Sequence, residues 1–132
     1  METQVEFRTK MFPERPGERE ENVNEFVGKA FCEWIRDELP RHGQETENNI
    51  IAEDFGWLCY LKCEFPLWIG CNNHGEDETG MTSYTAIVAA EPRRGLFRKG
   101  PDPKPALEKA AAAFKRLIES EPKIEDVKWV ED

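Results

Sequence analysis

Residues 22–39 carry apolar side chains at intervals of three and four, and this repeat constrains the fold more than any other feature. The apolar positions are Val23, Phe26, Val27, Ala30, Phe31, Trp34, Ile35 and Leu39. This spacing places them on one face of an α-helix, which must be buried against another layer. Asn22, with Glu25 three residues on, is predicted to cap the helix, and Pro40 and Gly43 are predicted to end it.

A second helix is predicted after Asp102, which has the position of an N-cap residue with Pro103 in the first helical turn. Its apolar stripe consists of Leu107, Ala110, Ala111, Phe114, Leu117 and Ile118. Pro122 is predicted to end this helix because proline cannot continue the backbone hydrogen bonds. Both helices therefore need an apolar surface to cover.

That surface is predicted to be a sheet, because the remaining apolar residues alternate or cluster with aromatic and β-branched types. The predicted strands are 3–12, 55–65, 67–69, 81–90 and 126–129, and the polar stretches 43–54 and 72–80 are predicted to be loops. The order β-α-β-β-β-α-β is ferredoxin-like. It predicts an α+β fold, in which a mostly antiparallel sheet carries two helices on one face.

Length and charge limit the classes of function. The 132 residues fit a single domain, 1–132, and the formal net charge of -9 argues against binding to nucleic acid. No apolar run reaches the roughly 18 residues of a membrane span, and the charged start is unlike a signal peptide. A cytoplasmic protein is therefore expected, with its four cysteines as free thiols.

Three of these cysteines and one histidine form the sharpest chemical candidate. Cys59, Cys63, Cys71 and His74 supply the number and type of ligands for tetrahedral zinc. Their spacing is unfavourable, since Cys59 and Cys63 would lie about 13 Å apart on an extended strand. We therefore predict core thiols, no metal and no cofactor.

Catalytic motifs are equally sparse. Neither His42 nor His74 has a nearby serine or cysteine in a nucleophile motif, and no glycine-rich phosphate loop opens either helix. Glu53 and Asp54 could form a carboxylate pair, which leaves an enzymatic or small-ligand-binding domain with a cleft there as an alternative. The prediction is that the protein is not an enzyme.

A small acidic protein-binding domain fits the sequence best, because acidic loops suit a basic partner and tryptophans are common at contact surfaces. The predicted partner-binding residues are Glu53, Asp54, Trp57, Trp68, Glu76, Asp77 and Glu78. In size, charge and lack of catalytic motifs the chain resembles toxin immunity proteins. The resemblance implies an inhibitor whose acidic loops cover the cationic face of a toxin, such as a nuclease.

Two further predictions concern other surfaces. A basic cluster interrupts the acidic sequence and is a candidate anion-binding site, formed by Arg93, Arg94, Arg98 and Lys99. A homodimeric structural or regulatory domain is the other alternative, in which the uncovered sheet faces pair across Trp57 or Trp68.

Overall fold

The computed structural model describes residues 1–91 and 102–131, which form two α-helices and six strands. In chain order these are β1 Glu2–Thr9, α1 Lys29–Glu38, β2 Thr46–Glu53, β3 Gly56–Leu61, β4 Leu67–Glu76, β5 Thr82–Ala90, α2 Lys104–Ser120 and β6 Glu125–Glu131. Short 3-10 turns cover Arg19–Glu21 and Leu39–His42.

The strands form one sheet in the order β2-β3-β4-β5-β1-β6, with every neighbouring pair antiparallel. The predicted α+β class, with an antiparallel sheet and two helices, is confirmed. The exact ferredoxin-like order is not confirmed, because four strands rather than three lie between the helices and the strand order is β2-β3-β4-β5-β1-β6.

Both helices cover the same face of the sheet. The ring of Phe31 in α1 lies 5.6 Å from Phe7 in β1, 6.2 Å from Tyr84 in β5 and 6.5 Å from Phe114 in α2. Phe114 in turn meets Trp129 of β6 edge to face at 5.8 Å. These aromatic contacts join both helices and three strands into one hydrophobic core.

The opposite face of the sheet, here called the open face, carries the alternate residue of each strand. Its central residues are Ile51, Leu58, Tyr60, Trp68, Gly70, Ile87 and Ala89, which face one another across β2, β3, β4 and β5. Antiparallel sheets commonly have one solvated face, and the apolar character of these positions is therefore unusual.

Helix α1 begins at Lys29 rather than directly after Asn22, which corrects the predicted start. Glu18 is 1% exposed, and its carboxylate Oε2 accepts the N–H groups of Gly28 at 2.8 Å and Lys29 at 2.9 Å. Its Oε1 accepts the N–H of Arg15. A side chain outside the helix thus satisfies amides that the first turn leaves without partners.

Gly28 is required at this junction because the chain passes close to the sheet. A Cβ atom at this position would lie 2.8 Å from Sγ of Cys71 and 3.5 Å from the Trp57 ring. Any larger residue would push α1 away from β3 and β4.

Two predicted loops are in fact largely strand. Residues 46–53 form the edge strand β2, in which Ile50 and Ala52 pack on the core and Glu47, Asn48 and Asn49 lie in solvent. β4 continues to Glu76 because β5 supplies backbone partners as far as Thr82. Apolar alternation is weak in both segments, and pairing with a neighbouring strand decides their structure.

We predict that Glu18→Ala lowers the free energy of unfolding by about 2–3 kcal/mol, because it leaves three amides without their charged acceptor. Glu18→Gln keeps an acceptor and should cost less. Urea denaturation measures both values.

The matched control is Glu20→Ala, which alters an exposed carboxylate two residues away and should change stability by no more than about 0.5 kcal/mol. Equal effects of Glu18→Ala and Glu20→Ala would contradict the capping role of Glu18.

Candidate functional site

The turns that follow β2 and β4 lie at the same end of the sheet. Because neighbouring strands are antiparallel, β2 ends and β3 begins at the end where β4 finishes and β5 starts. The β2–β3 turn (residues 53–56) and the β4–β5 turn (residues 77–81) share this end. Glu45 and Glu47, at the beginning of β2, lie at the opposite end. The acidic segment 43–54 is thus divided between the two ends.

The hairpin of β4 and β5 projects beyond its neighbour β3. The first residue of β3, Gly56, lies beside Asn72, whereas β4 continues to Glu76. At about 3.3 Å per residue, this extension carries the β4–β5 turn roughly 13 Å past the start of β3. The β4–β5 turn therefore projects beyond the start of β3.

Two asparagine side chains hold the β2–β3 turn from outside. Nδ2 of Asn22 donates to the carbonyl oxygens of Glu53 at 2.7 Å and Gly56 at 3.2 Å. Nδ2 of Asn24 donates to the carbonyl oxygen of Asp54 at 2.6 Å. Oδ1 of Asn22 also accepts the N–H of Asn24 at 2.9 Å. Segment 22–24 and this turn therefore form one surface, here called the two-segment platform.

The platform presents two large apolar side chains to solvent. Val23, which lies between the two asparagines, is 78% exposed, and Phe55 in the turn is 49% exposed. Met1 is the only other large hydrophobic side chain exposed within residues 1–91 and 102–131. Apolar side chains held in water on a braced surface are typical of contact sites.

Carboxylates without a cationic partner lie at this end of the sheet, here called the acidic end. Glu20, Glu25, Asp54, Glu76 and Glu78 are exposed, and none forms an ion pair with a described lysine or arginine. Within the described part of the chain no ion pair holds these carboxylates, although Lys10 lies near Glu76 beside Gly80. The field of such carboxylates attracts cationic groups and repels anionic ones.

Asp77 differs from these residues because its carboxylate holds the β4–β5 turn. Oδ1 accepts the N–H of Thr79 at 2.8 Å, the Thr79 hydroxyl at 2.6 Å and the N–H of Met81 at 3.1 Å. Oδ2 accepts from the Arg8 guanidinium. These bonds, above all those from Thr79, hold the pKa of the Asp77 carboxyl well below its usual range. Asp77 shapes the turn that carries its acidic neighbours.

The two tryptophans predicted at the contact surface lie on opposite faces of the sheet. Trp57 is 2% exposed on the helix side, where its indole N–H donates to the carbonyl oxygen of Phe26 at 2.9 Å. Trp68 lies on the open face, and its ring centroid is 5.5 Å from that of Phe55. Trp57 is thus a core residue, and of the two only Trp68 can be reached by a partner.

Glu53, Asp54 and His74 do not line one cleft. His74 borders a pocket of about 260 Å³ together with Thr85, to whose hydroxyl its Nε2 is hydrogen-bonded at 2.7 Å. A larger groove of about 930 Å³ lies beside the β4–β5 turn, with Lys10, Thr79, Met81 and Lys123 in its lining. Glu53 and Asp54 line neither, so these cavities give no support to a carboxylate-pair active site.

The candidate zinc ligands are also separated. Cys59 and Cys71 are buried on the helix side, Cys63 is exposed, and His74 is exposed on the open face. Within the described ranges no group of three or more potential ligands is placed to hold a metal ion. Burial raises the pKa of the Cys59 thiol to about 12, which makes it a poor nucleophile near neutral pH.

The thiol of Cys71 lies beside the thiol of Cys32 in helix α1. The carbonyl oxygen of Gly28 accepts both the N–H of Cys32 at 3.2 Å and the thiol of Cys71 at 3.8 Å. Burial, followed by contact with Cys71, raises the pKa of the Cys32 thiol well above its usual value. All four cysteines are free thiols, and Cys32, Cys59 and Cys71 are buried as predicted, whereas Cys63 is exposed and is not a core thiol.

The predicted anion-binding cluster lies outside the described residues. Arg93, Arg94, Arg98 and Lys99 all fall between residues 91 and 102. The prediction for this cluster therefore stays a prediction.

Val23 fits the apolar period of residues 22–39, which predicts it in the buried stripe, whereas the structure exposes it. The flanking Asn22 and Asn24 are a signal against a helix here, since asparagine favours turns. Gly28, directly before the well-formed helix, is a second signal.

No protein-family model, curated protein or solved structure matches this chain. Neither of the two described helices is long and apolar enough to cross a membrane.

We predict that Asp77 remains ionised at pH 3, because its bonds favour the carboxylate. Their contribution to stability should be complete above the ordinary aspartate pKa of about 3.9 and be lost only as the pH falls below that value. A carboxyl-carbon NMR titration of the intact chain gives the midpoint. Thr79→Ala should raise it, whereas Glu78→Gln should not. A midpoint near 3.9 in the unmodified chain would contradict this role of Asp77.

Proposed function

We propose that this chain is a non-catalytic domain that binds a basic protein through its acidic end. The observation that carries the proposal is the two-segment platform, which holds exposed Val23 and Phe55 beside carboxylates without ion partners in the described residues. Exposed apolar side chains contribute affinity to a protein complex, whereas unpaired charges raise its association rate and its selectivity.

The β4–β5 turn adds the second half of the surface. Glu76 and Glu78 flank Asp77, whose carboxylate is occupied in holding the turn, so the two outer carboxylates are available to a partner. The projection of the hairpin brings these charges forward of the platform. A cationic surface approaching this end would therefore meet charge first and the apolar anchors second.

A specific form of the proposal is an immunity-type inhibitor. A toxin that acts on nucleic acid has a cationic substrate-binding face, and an acidic end with apolar anchors is complementary to such a face. Inhibition would then consist of covering that face, and no catalytic group of this chain would be needed.

Affinity capture from a lysate of the source organism tests the proposal with two variants of equal charge change. The binding variant is Asp54→Lys with Glu78→Lys, and the matched control is Glu45→Lys with Glu47→Lys at the opposite end of the sheet. We expect the unmodified chain and the control to retain one basic protein in stoichiometric amount, and the binding variant to lose it.

Association kinetics with the captured protein measure how much the acidic end contributes to the association rate. At low salt the binding variant should associate at least about tenfold more slowly than the control, with a weaker dependence on salt. Equal loss in both variants would indicate net charge rather than a site. Retention of an acidic protein, or equal rates for the two variants, would contradict the proposal.

A further inference from the structure

Three aromatic side chains form a strip on the open face. Tyr60 and Trp68 face each other across β3 and β4, and the ring of Phe55 packs on Trp68 at 5.5 Å with planes tilted by 43°. The strip begins beside Asp54 at the acidic end. It ends at Glu91, whose carboxylate accepts the Tyr60 hydroxyl at 2.6 Å. The Glu91 carboxylate therefore lies at one end of the aromatic strip, and Asp54 precedes Phe55 in the turn at the other end.

Gly70 allows the Trp68 ring to lie on the sheet. A Cβ atom at this position would be 2.7 Å from Cδ2 of Leu58 and 3.1 Å from Cζ3 of Trp68. Leu58 is only 2% exposed although it lies on the open face, because neighbouring side chains cover it. The outer surface of the strip is thus aromatic, with Phe55 as its most exposed ring.

Two other tryptophans of this chain already combine an indole, a cation and a carboxylate. Nζ of Lys29 lies 5.4 Å from the Trp57 ring and pairs with Glu21 at 2.9 Å. Nζ of Lys115 lies 5.6 Å from the Trp129 ring and pairs with Glu2 at 2.6 Å. Both sites place a cation between an aromatic face and a negative charge.

At Trp68 the aromatic and acidic parts of this arrangement are present, but no cation from the described residues lies over the ring. Trp68 is more exposed than Trp57, so its ring can be reached by a cation of a partner. The outer side of the Trp68 ring faces away from both helices, on the open face of the sheet.

We propose that the aromatic strip binds an arginine side chain of the basic partner, an inference that rests on the proposed function. The guanidinium would stack on Phe55 and Trp68 and meet a carboxylate at the edge of the strip. Arginine fits better than lysine, because its planar group stacks on aromatic rings and donates two parallel hydrogen bonds to one carboxylate. The strip would thus add side-chain selectivity to the general attraction of the acidic end.

Two synthetic peptides of equal charge test this inference on the full chain. Both are acetylated, amidated and spaced by glycine and serine, one with three arginines and one with three lysines. Indole N–H signals in proton–nitrogen NMR report binding, with Trp68 assigned from Trp68→Phe. We expect the arginine peptide to shift the Trp68 signal and to bind about threefold or more tightly than the lysine peptide.

Phe55→Leu is the decisive variant, because it removes an aromatic face from an exposed turn and keeps an apolar side chain. It should abolish the preference for arginine while leaving the weak, salt-dependent binding of both peptides. Val23→Ala is the matched control, since it alters the other apolar anchor of the platform and should leave the preference unchanged. Circular dichroism checks that each variant is folded.

Three results would contradict arginine binding at the aromatic strip without contradicting the proposed function. These are equal affinities of the two peptides, no shift of the Trp68 signal at millimolar peptide, or an unchanged preference in Phe55→Leu. A concentration-dependent shift without peptide would make a second copy of this chain the occupant. Binding that appears only after residues 92–101 are replaced by a glycine-serine linker would make that basic segment the occupant.

Discussion

The buried carboxylate of Glu18 fixes where helix α1 begins, and much of the molecule depends on that point. By accepting the N–H groups of Gly28 and Lys29 it anchors the helix, and by accepting that of Arg15 it closes the preceding segment into a loop. The helix then lies against β3 and β4. The residues before it are left free to form the platform.

Polarity of the strands accounts for the distribution of charge. An antiparallel sheet brings the turns after β2 and β4 to one end, so acids that are distant in sequence gather there. The same rule sends Glu45 and Glu47 to the other end. The position of the acidic end is thus a consequence of sheet topology. The charge available to a partner depends on local ion pairs, since Asp77 is bonded to Arg8 and Glu78 is not.

How much the sequence could predict differs between the fold and the site. Both amphipathic stripes, around Phe31 and Phe114, were recognisable because burial of a helix face leaves a strong period. Edge strand β2 was not, because its first half is polar and only pairing with β3 makes it a strand.

For the site, the chemical types of Asp54, Glu78 and Trp68 predict contact with a basic partner, whereas their positions on the sheet follow from strand pairing. The sequence predicts Asn22 as a helix cap and Val23 in the helix, because the true partners of Asn22 are the carbonyls of Glu53 and Gly56, more than thirty residues away in sequence. A local pattern carries no information about such partners.

The bonds that hold the platform together have a consequence for how binding specificity can change. Asn22 and Asn24 hold the β2–β3 turn through its carbonyl oxygens, so the side chains of Asp54 and Phe55 are displayed without being needed for support. Every residue type that can adopt the backbone conformation of the turn provides the same carbonyl oxygens. The displayed side chains can therefore diverge rapidly between relatives while the scaffold beneath them stays constant, as in a binding loop whose framework and recognition residues evolve separately.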